Sequence, residues 1–257
     1  WVSFENLYNT PMLIQVGEYD TAYSRNTVGV ENYIKLNDLQ TSYHGGYEHD
    51  VFLHLDGSHN SWQDNDASQS LHPIIAHPKA WLDLQDRASV NKNTNAITWL
   101  DQHVRNPLPT KIVWDLNTKA ELRNNSMGKD WLRSSSSSAV LAEPVDLSYW
   151  LNVSDNKDVN DKVVHKLVVS MDKPNNSINI EQVAGVDHFT IYLHPELLDL
   201  SKDINIQFAD QKLTYRVSKY SVQAILTTML ERTDYNWSFP AEVNLSLNSA
   251  KQWEIAS

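Results

Sequence analysis

Apolar and polar positions follow two different rhythms in this chain, and the change comes in the stretch from Arg105 to Lys111. In "PMLIQVGEYD", Met12, Leu13, Ile14 and Val16 make a nearly continuous apolar run punctuated by Gly17, the pattern of a short strand covered on both faces. Between Ser24 and Leu39, Val30, Tyr33, Ile34 and Leu39 recur near helical spacing, and Ser24 or Asn26 stands where an N-cap belongs. "YHGGYEHD" reads as loop and "VFLHLDG" as a second strand. The opening of the chain is therefore strand, helix, strand. "KAWLDLQ" and "NAITWLDQHV" are helix-length, the second with Ile97, Leu100 and Val104 along one apolar face.

"RNPLPTK" marks a boundary, because its two prolines end a helix and cannot sit inside a sheet ladder. Beyond it the period becomes alternating. "KIVWDL", "VDLSYWLNV", "KLVVSMD", "SINIEQV", "HFTIYL", "INIQF" and "KLTYRV" are short β-rich runs between polar turns, and "FPAEVNLSL" supplies a closing strand. That spacing predicts an antiparallel sandwich or barrel. One helix interrupts it. Val222, Ile225, Leu226, Met229 and Leu230 form an amphipathic stripe expected to face the core. Trp114, Trp131 and Trp150 are expected to fill that core, and the serine run Ser134–Ser138 is expected to be loop. The fold class expected is an α/β portion over residues 1–107, followed over 108–257 by an all-β, sandwich-like domain with one amphipathic helix.

Composition narrows the function classes. The 257 residues are 41% hydrophobic, enough to bury a core, and their net charge of −11 repels a polyphosphate. No block of Lys and Arg offsets that charge, so nucleic acid is not an expected partner. Without cysteine there is no disulfide, thiolate zinc site or cysteine nucleophile. No apolar run approaches the roughly 20 residues of a membrane helix, so no span is expected. A chain that opens on Trp1, without a basic-then-apolar leader, reads as a processed product or a piece of a longer polypeptide.

The candidate chemistry lies just after the two early strands, where Gly17-Glu18-Tyr19-Asp20 follows one and Asp56-Gly57-Ser58-His59 the other. In open parallel sheets, functional residues collect at the carboxyl ends of strands, which face one crevice. Asp20 and His59 can meet there, the carboxylate holding the ring tautomer and stabilising the imidazolium as His59 takes a proton. Ser58, adjacent on the same turn, is expected to bond locally rather than to act as nucleophile. His44, His49, His54 and His59 recur every five residues. Odd separations put His49 and His54 on opposite faces of a strand, so no metal site and no cofactor are expected. Trp62 is a candidate for lining a substrate cleft, as is Trp81, although aromatics so placed also serve as packing.

"NTPMLIQVGEYD" followed by "HLDGSHNSW" resembles the last third of an α/β-hydrolase catalytic domain, nearest the prolyl-oligopeptidase-like, feruloyl-esterase-like and depolymerase-like group. The resemblance covers about residues 9 to 105. It implies that residues 1–107 are the C-terminal portion of such a domain, with Asp20 matching the family's acid and His59 its base. The chain departs from the family at Thr21-Ala22-Tyr23, where Val-Pro is usual. From "RNPLPTKIVW" onward it is similar to the β-rich appendage of some secreted esterases and peptidases, through "DHFTIYLHPELLDLSKDINIQF". In this fold the nucleophile elbow G-x-S-x-G precedes acid and base. None of the seven glycines (17, 29, 45, 46, 57, 128, 185) brackets a serine that way. The resemblance thus implies a nucleophile on a partner segment upstream of residue 1, an ester or amide substrate of small-molecule or polymer type, and a secreted or periplasmic parent. This chain alone is then expected to be inactive. The rival expectation is a binding or structural module on a degenerate hydrolase scaffold, its β-rich half gripping a polysaccharide or a protein.

Overall fold

The computed structural model describes residues 3–54, 57–59, 68–70, 93–94, 96–116, 146–154, 164–232 and 238–256. Over these residues the chain is sheet-rich, with three sheets. It divides into two compact units: Leu7–Asn106, and a second in which Trp1–Asn6 joins Pro107–Ser257.

The Leu7–Asn106 unit contains Met12–Gly17 (β1), Arg25–Ser42 (α1), His49–His54 (β2), Ser68–Ser70 (β3), Asn93–Thr94 (β4) and Ala96–Asp101 (α2). Its sheet runs in the order β1-β2-β3-β4. β1 and β2 are parallel, in register from Met12↔His49 to Gly17↔His54. Parallel neighbours need a long crossover, and α1 supplies it, packing on both strands. The helix buries Val30, Tyr33 and Leu36, while Ile34 and Leu39, which the spacing also assigned inward, are half-buried. Gly29 lies where α1 crosses β1 closely: a Cβ there would lie 2.3 Å from Val16 Cγ1, so that methyl would have to move. Ser24 occupies the N-cap position at φ 54° but makes no capping bond with its side chain. At the other end, Gly45 N–H donates to Gln40 O and His44 N–H to Thr41 O, with His44 at φ 57°, a Schellman closure built on histidine.

Two expectations fail in this unit. β1 was expected to be covered on both faces, yet among the described residues it ends the sheet, and Met12 to Gln15 are only half-buried. On α2 it is Ala96 and Trp99 that are buried, whereas Ile97, Leu100 and Val104 are exposed. A helix of six residues turns less than two full turns. Its bulky Trp99 therefore fixes the buried side.

The second unit is sandwich-like. Its strands are Lys111–Asp115 (β5), Leu147–Ser148 (β6), Leu151–Asn152 (β7), Lys166–Asp172 (β8), Ser177–Ala184 (β9), His188–Leu193 (β10), Ile204–Gln207 (β11), Lys212–Tyr215 (β12), Ala241–Leu247 (β13) and Trp253–Ile255 (β14). They form two five-stranded sheets, β12-β11-β9-β8-β5 and β14-β13-β10-β7-β6. Inward residues of both, such as Leu167, Ile178 and Ile206 from one and Ile191, Val243 and Leu245 from the other, belong to one apolar core. Trp114 and Trp150 are in that core, and the Trp150 Nε1–H donates to Pro109 O at 2.7 Å. Trp131 and Ser134–Ser138 lie outside the described residues.

Three features correct the sequence reading here. The sheets are not wholly antiparallel. β10 belongs to the opposite sheet, so the chain returns to lay β11 parallel to β9. "VDLSYWLNV" is not one strand but a hairpin, β6 and β7 joined at Tyr149-Trp150, with Tyr149 at φ 53°. The helix Val222–Arg232 (α3) does not bury its apolar stripe as a whole: Val222 (70% exposed), Leu226 (48%) and Leu230 (77%) face outward, while Ile225 and Met229 are half-buried. Its inward side carries buried Ala224 and Thr228. Hydrogen bonds set that orientation. Thr228 Oγ1 accepts the Phe239 N–H at 3.0 Å, and the Ser221 N–H donates to Pro240 O at 2.8 Å.

The segment before Leu7 is strapped to this unit. The Asn6 side chain donates to Asp115 O (2.9 Å) and accepts from the Asp115 N–H (2.6 Å), and Glu5 pairs with Lys166. Asp115 ends β5, which lies at a sheet edge among the described residues. One amide thus occupies backbone groups that an edge strand otherwise offers to strangers.

Candidate functional site

Because β1 and β2 run parallel, both chains leave the sheet at the same end, and their exits are tied together through the backbone. The Glu18 N–H and the Gly57 N–H both donate to His54 O, each at 3.1 Å, and the Tyr19 N–H donates to Gly57 O at 2.7 Å. This approach is possible only because residue 17 has no side chain. A Cβ on Gly17 would lie 2.7 Å from Gly57 O and 2.8 Å from Ser58 O.

The two turns bring Asp20 and His59, 39 positions apart, into contact. His59 Nδ1 lies 2.9 Å from Asp20 Oδ2. Asp20 is buried, its side chain 10% exposed, and His59 is open to solvent at 57%. The second carboxylate oxygen is held from α1, where Arg25 Nη1 donates to Asp20 Oδ1 at 3.1 Å. Asn26 fastens the same loop: its backbone N–H donates to Asp20 O and its side chain to Glu18 O, both at 3.1 Å. Burial alone would raise the Asp20 pKa above its ordinary 3.8, but the bonds from His59 and Arg25, with their charges, outweigh it and lower it. Asp20 is therefore an anion at neutral pH. An anionic carboxylate accepts the Nδ1 proton, so the neutral ring keeps its lone pair on Nε2. A buried anion behind a solvent-facing imidazole can orient that ring and steady the positive charge it acquires on taking a proton.

The other histidines of the five-residue series do other work. His54 is buried and pairs with Gln15 Oε1 at 2.9 Å. His49 Nδ1 bonds to Tyr47 O, and His44 closes α1. Among the described residues no three His, Cys, Asp or Glu side chains gather as a metal ion would require. No helix among them is long and apolar enough to cross a membrane. Ser58 is exposed beside His59. Trp62 and Trp81 lie outside the described residues.

Sequence reasoning missed Arg25. A signal for Arg25 existed. A cation on the first residue of a helix with no acid in its first turn opposes the helix dipole, so a counter-charge close by in the preceding loop was to be sought. In comparison with known proteins, no family model, no curated protein and no solved structure matches this chain.

Proposed function

We propose that the Leu7–Asn106 unit is part of an α/β-hydrolase sheet and supplies the acid and base of a serine hydrolase acting on an ester or amide. Asp20 orients His59, and His59 Nε2 takes the proton of a serine hydroxyl as it attacks the carbonyl, then returns it to the leaving group. The serine and its oxyanion donors come from a segment upstream of Trp1, in the chain order of that fold. The observation that carries the reading is the 2.9 Å bond between His59 Nδ1 and Asp20 Oδ2, with the acid buried and the base exposed. The position of β1 at the end of the sheet among the described residues agrees with it, since an apolar strand with one neighbour invites another. The sandwich-like unit is an accessory domain without catalytic residues, and the parent is secreted or periplasmic on the strength of the resemblance.

A fluorophosphonate probe tests this on the longer polypeptide. Labelling is expected on a serine inside an upstream G-x-S-x-G, is lost in His59→Ala, and is absent from the 257-residue chain by itself. A folded longer polypeptide that takes no label, or one labelled equally well in His59→Ala, refutes the proposal and favours the non-catalytic binding module.

A further inference from the structure

The carboxylate of Asp20 has two oxygens and receives a different donor on each. His59 approaches Oδ2 from the turn after β2, and Arg25 approaches Oδ1 from the first residue of α1. Among the described residues these are the two charged or titratable side chains that act on Asp20. A carboxylate held at one oxygen cannot rotate about its Cβ–Cγ bond without breaking that contact, so the other oxygen has a fixed direction. We infer that Arg25 is a positioning residue: its guanidinium locks the Asp20 carboxylate so that the remaining oxygen is presented to His59 Nδ1. This rests on reading Asp20 and His59 as an acid–base pair.

A second observation shows that the chain takes trouble over Arg25. Tyr23 and Ser24, immediately before it, both have left-handed backbone, at φ 56° and 54°. Neither is glycine, and two such residues in succession are strained. The double turn starts α1 beside the acid loop and lays the Tyr23 ring against the Arg25 guanidinium, 5.1 Å from its carbon to the ring centroid. Tyr23 is 88% exposed, so burial is no reason for its placement. Strain of this kind collects where geometry serves function. The contacts form one line: Tyr23 holds Arg25, Arg25 holds Asp20, and Asp20 holds His59. Arginine suits the second place because it stays charged at any working pH and its planar fork can meet a carboxylate and a ring face together.

The test uses the 257-residue chain labelled with ¹⁵N-histidine and follows the Nδ1 proton of His59 by NMR. The unaltered chain shows a downfield resonance that disappears in Asp20→Asn and is lost on acidification as the carboxylate protonates. In Arg25→Met the resonance weakens, and its loss moves to higher pH; Arg25→Lys, which keeps the charge, restores the acid midpoint. Tyr23→Ala, at an exposed position that leaves folding intact, moves both in the same direction by less. Circular dichroism confirms that each variant is folded, and the Tyr23 variant carries the test if Arg25→Met is not. An unchanged resonance and midpoint in the folded Arg25→Met, or in Tyr23→Ala where it alone folds, overturns the inference and leaves the acid–base pair standing. No downfield resonance in the unaltered chain overturns both.

Discussion

Gly17→Ala is the sharpest test of how the acid and base are held. The new Cβ would meet Gly57 O at 2.7 Å, Ser58 O at 2.8 Å and Gly57 C at 2.9 Å, all of them backbone atoms. To reach the 3.4 Å of ordinary contact the two turns must part by 3.4 − 2.7, about 0.7 Å. Added to the 2.9 Å bond between His59 and Asp20, that gives about 3.6 Å, too long for a hydrogen bond. Backbone cannot step aside as a side chain does, so the cost belongs at the upper end of overpacking, about 3 kcal/mol. Ala for Gly narrows the unfolded ensemble and returns about 0.7 kcal/mol. The net loss is about 2 kcal/mol, roughly a 30-fold fall in the folding equilibrium. With a urea slope of about 2 kcal/mol/M, the midpoint drops by about 1 M. The assay is urea unfolding followed through backbone amide resonances of α1 and β2, which report on this unit alone, with the His59 Nδ1 resonance read separately for the hydrogen bond. Gly29→Ala is the control. Its Cβ meets a Val16 methyl, which can change rotamer, so the expected cost is about 1 kcal/mol with the resonance intact. A Gly17→Ala midpoint within about 0.2 M of the parent, with the resonance unshifted, would refute the reasoning.

Other outcomes follow from the same geometry. Asp20 has a lowered pKa, so it stabilises the native unit above the unfolded value of 3.8, and that contribution disappears as the pH falls through the lower native value. Urea midpoints across acid pH should therefore fall more steeply for the parent than for Asp20→Asn; equal slopes contradict the assignment. Asn6→Ala removes both bonds to Asp115 and is expected to cost about 2 kcal/mol, read from the unfolding of the sandwich-like unit. On α3, Leu230→Gln at an exposed site should change stability by less than about 0.5 kcal/mol, whereas Ala224→Leu at a buried one should cost about 2 kcal/mol or more. The reverse order in thermal melts would restore the apolar stripe to the core.

Much of this fold is legible in the sequence because its signals are local. The run Met12–Val16, the turn residues at Gly17 and Gly57, and the alternating runs after Pro109 each announce a strand or its end. The pairing of Asp20 with His59 was legible for a topological reason: two parallel strands joined by a helix must finish at the same end. What stayed hidden depends on contacts that local pattern does not encode. A stripe at Val222, Leu226 and Leu230 specifies an amphipathic helix but not which face is turned inward; Thr228 and Phe239 decide that across eleven positions. Asn6 meets Asp115 over a separation of 109. Tyr149 breaks a strand that its neighbours would have continued, through a left-handed backbone with no glycine to announce it.

The rung-by-rung register of β1 and β2 has one more consequence. Asp20 and His59 stand beyond the last matched pair, Gly17↔His54, so their meeting point is counted off along the ladder like the zero mark of a vernier. A slip of a single rung displaces one tip by about 3.3 Å and inverts which face each side chain occupies. A misassembled sheet would keep most of its secondary structure and still present an imidazole with nothing to steer it. The acid–base contact is in that sense the protein's own proof of correct assembly.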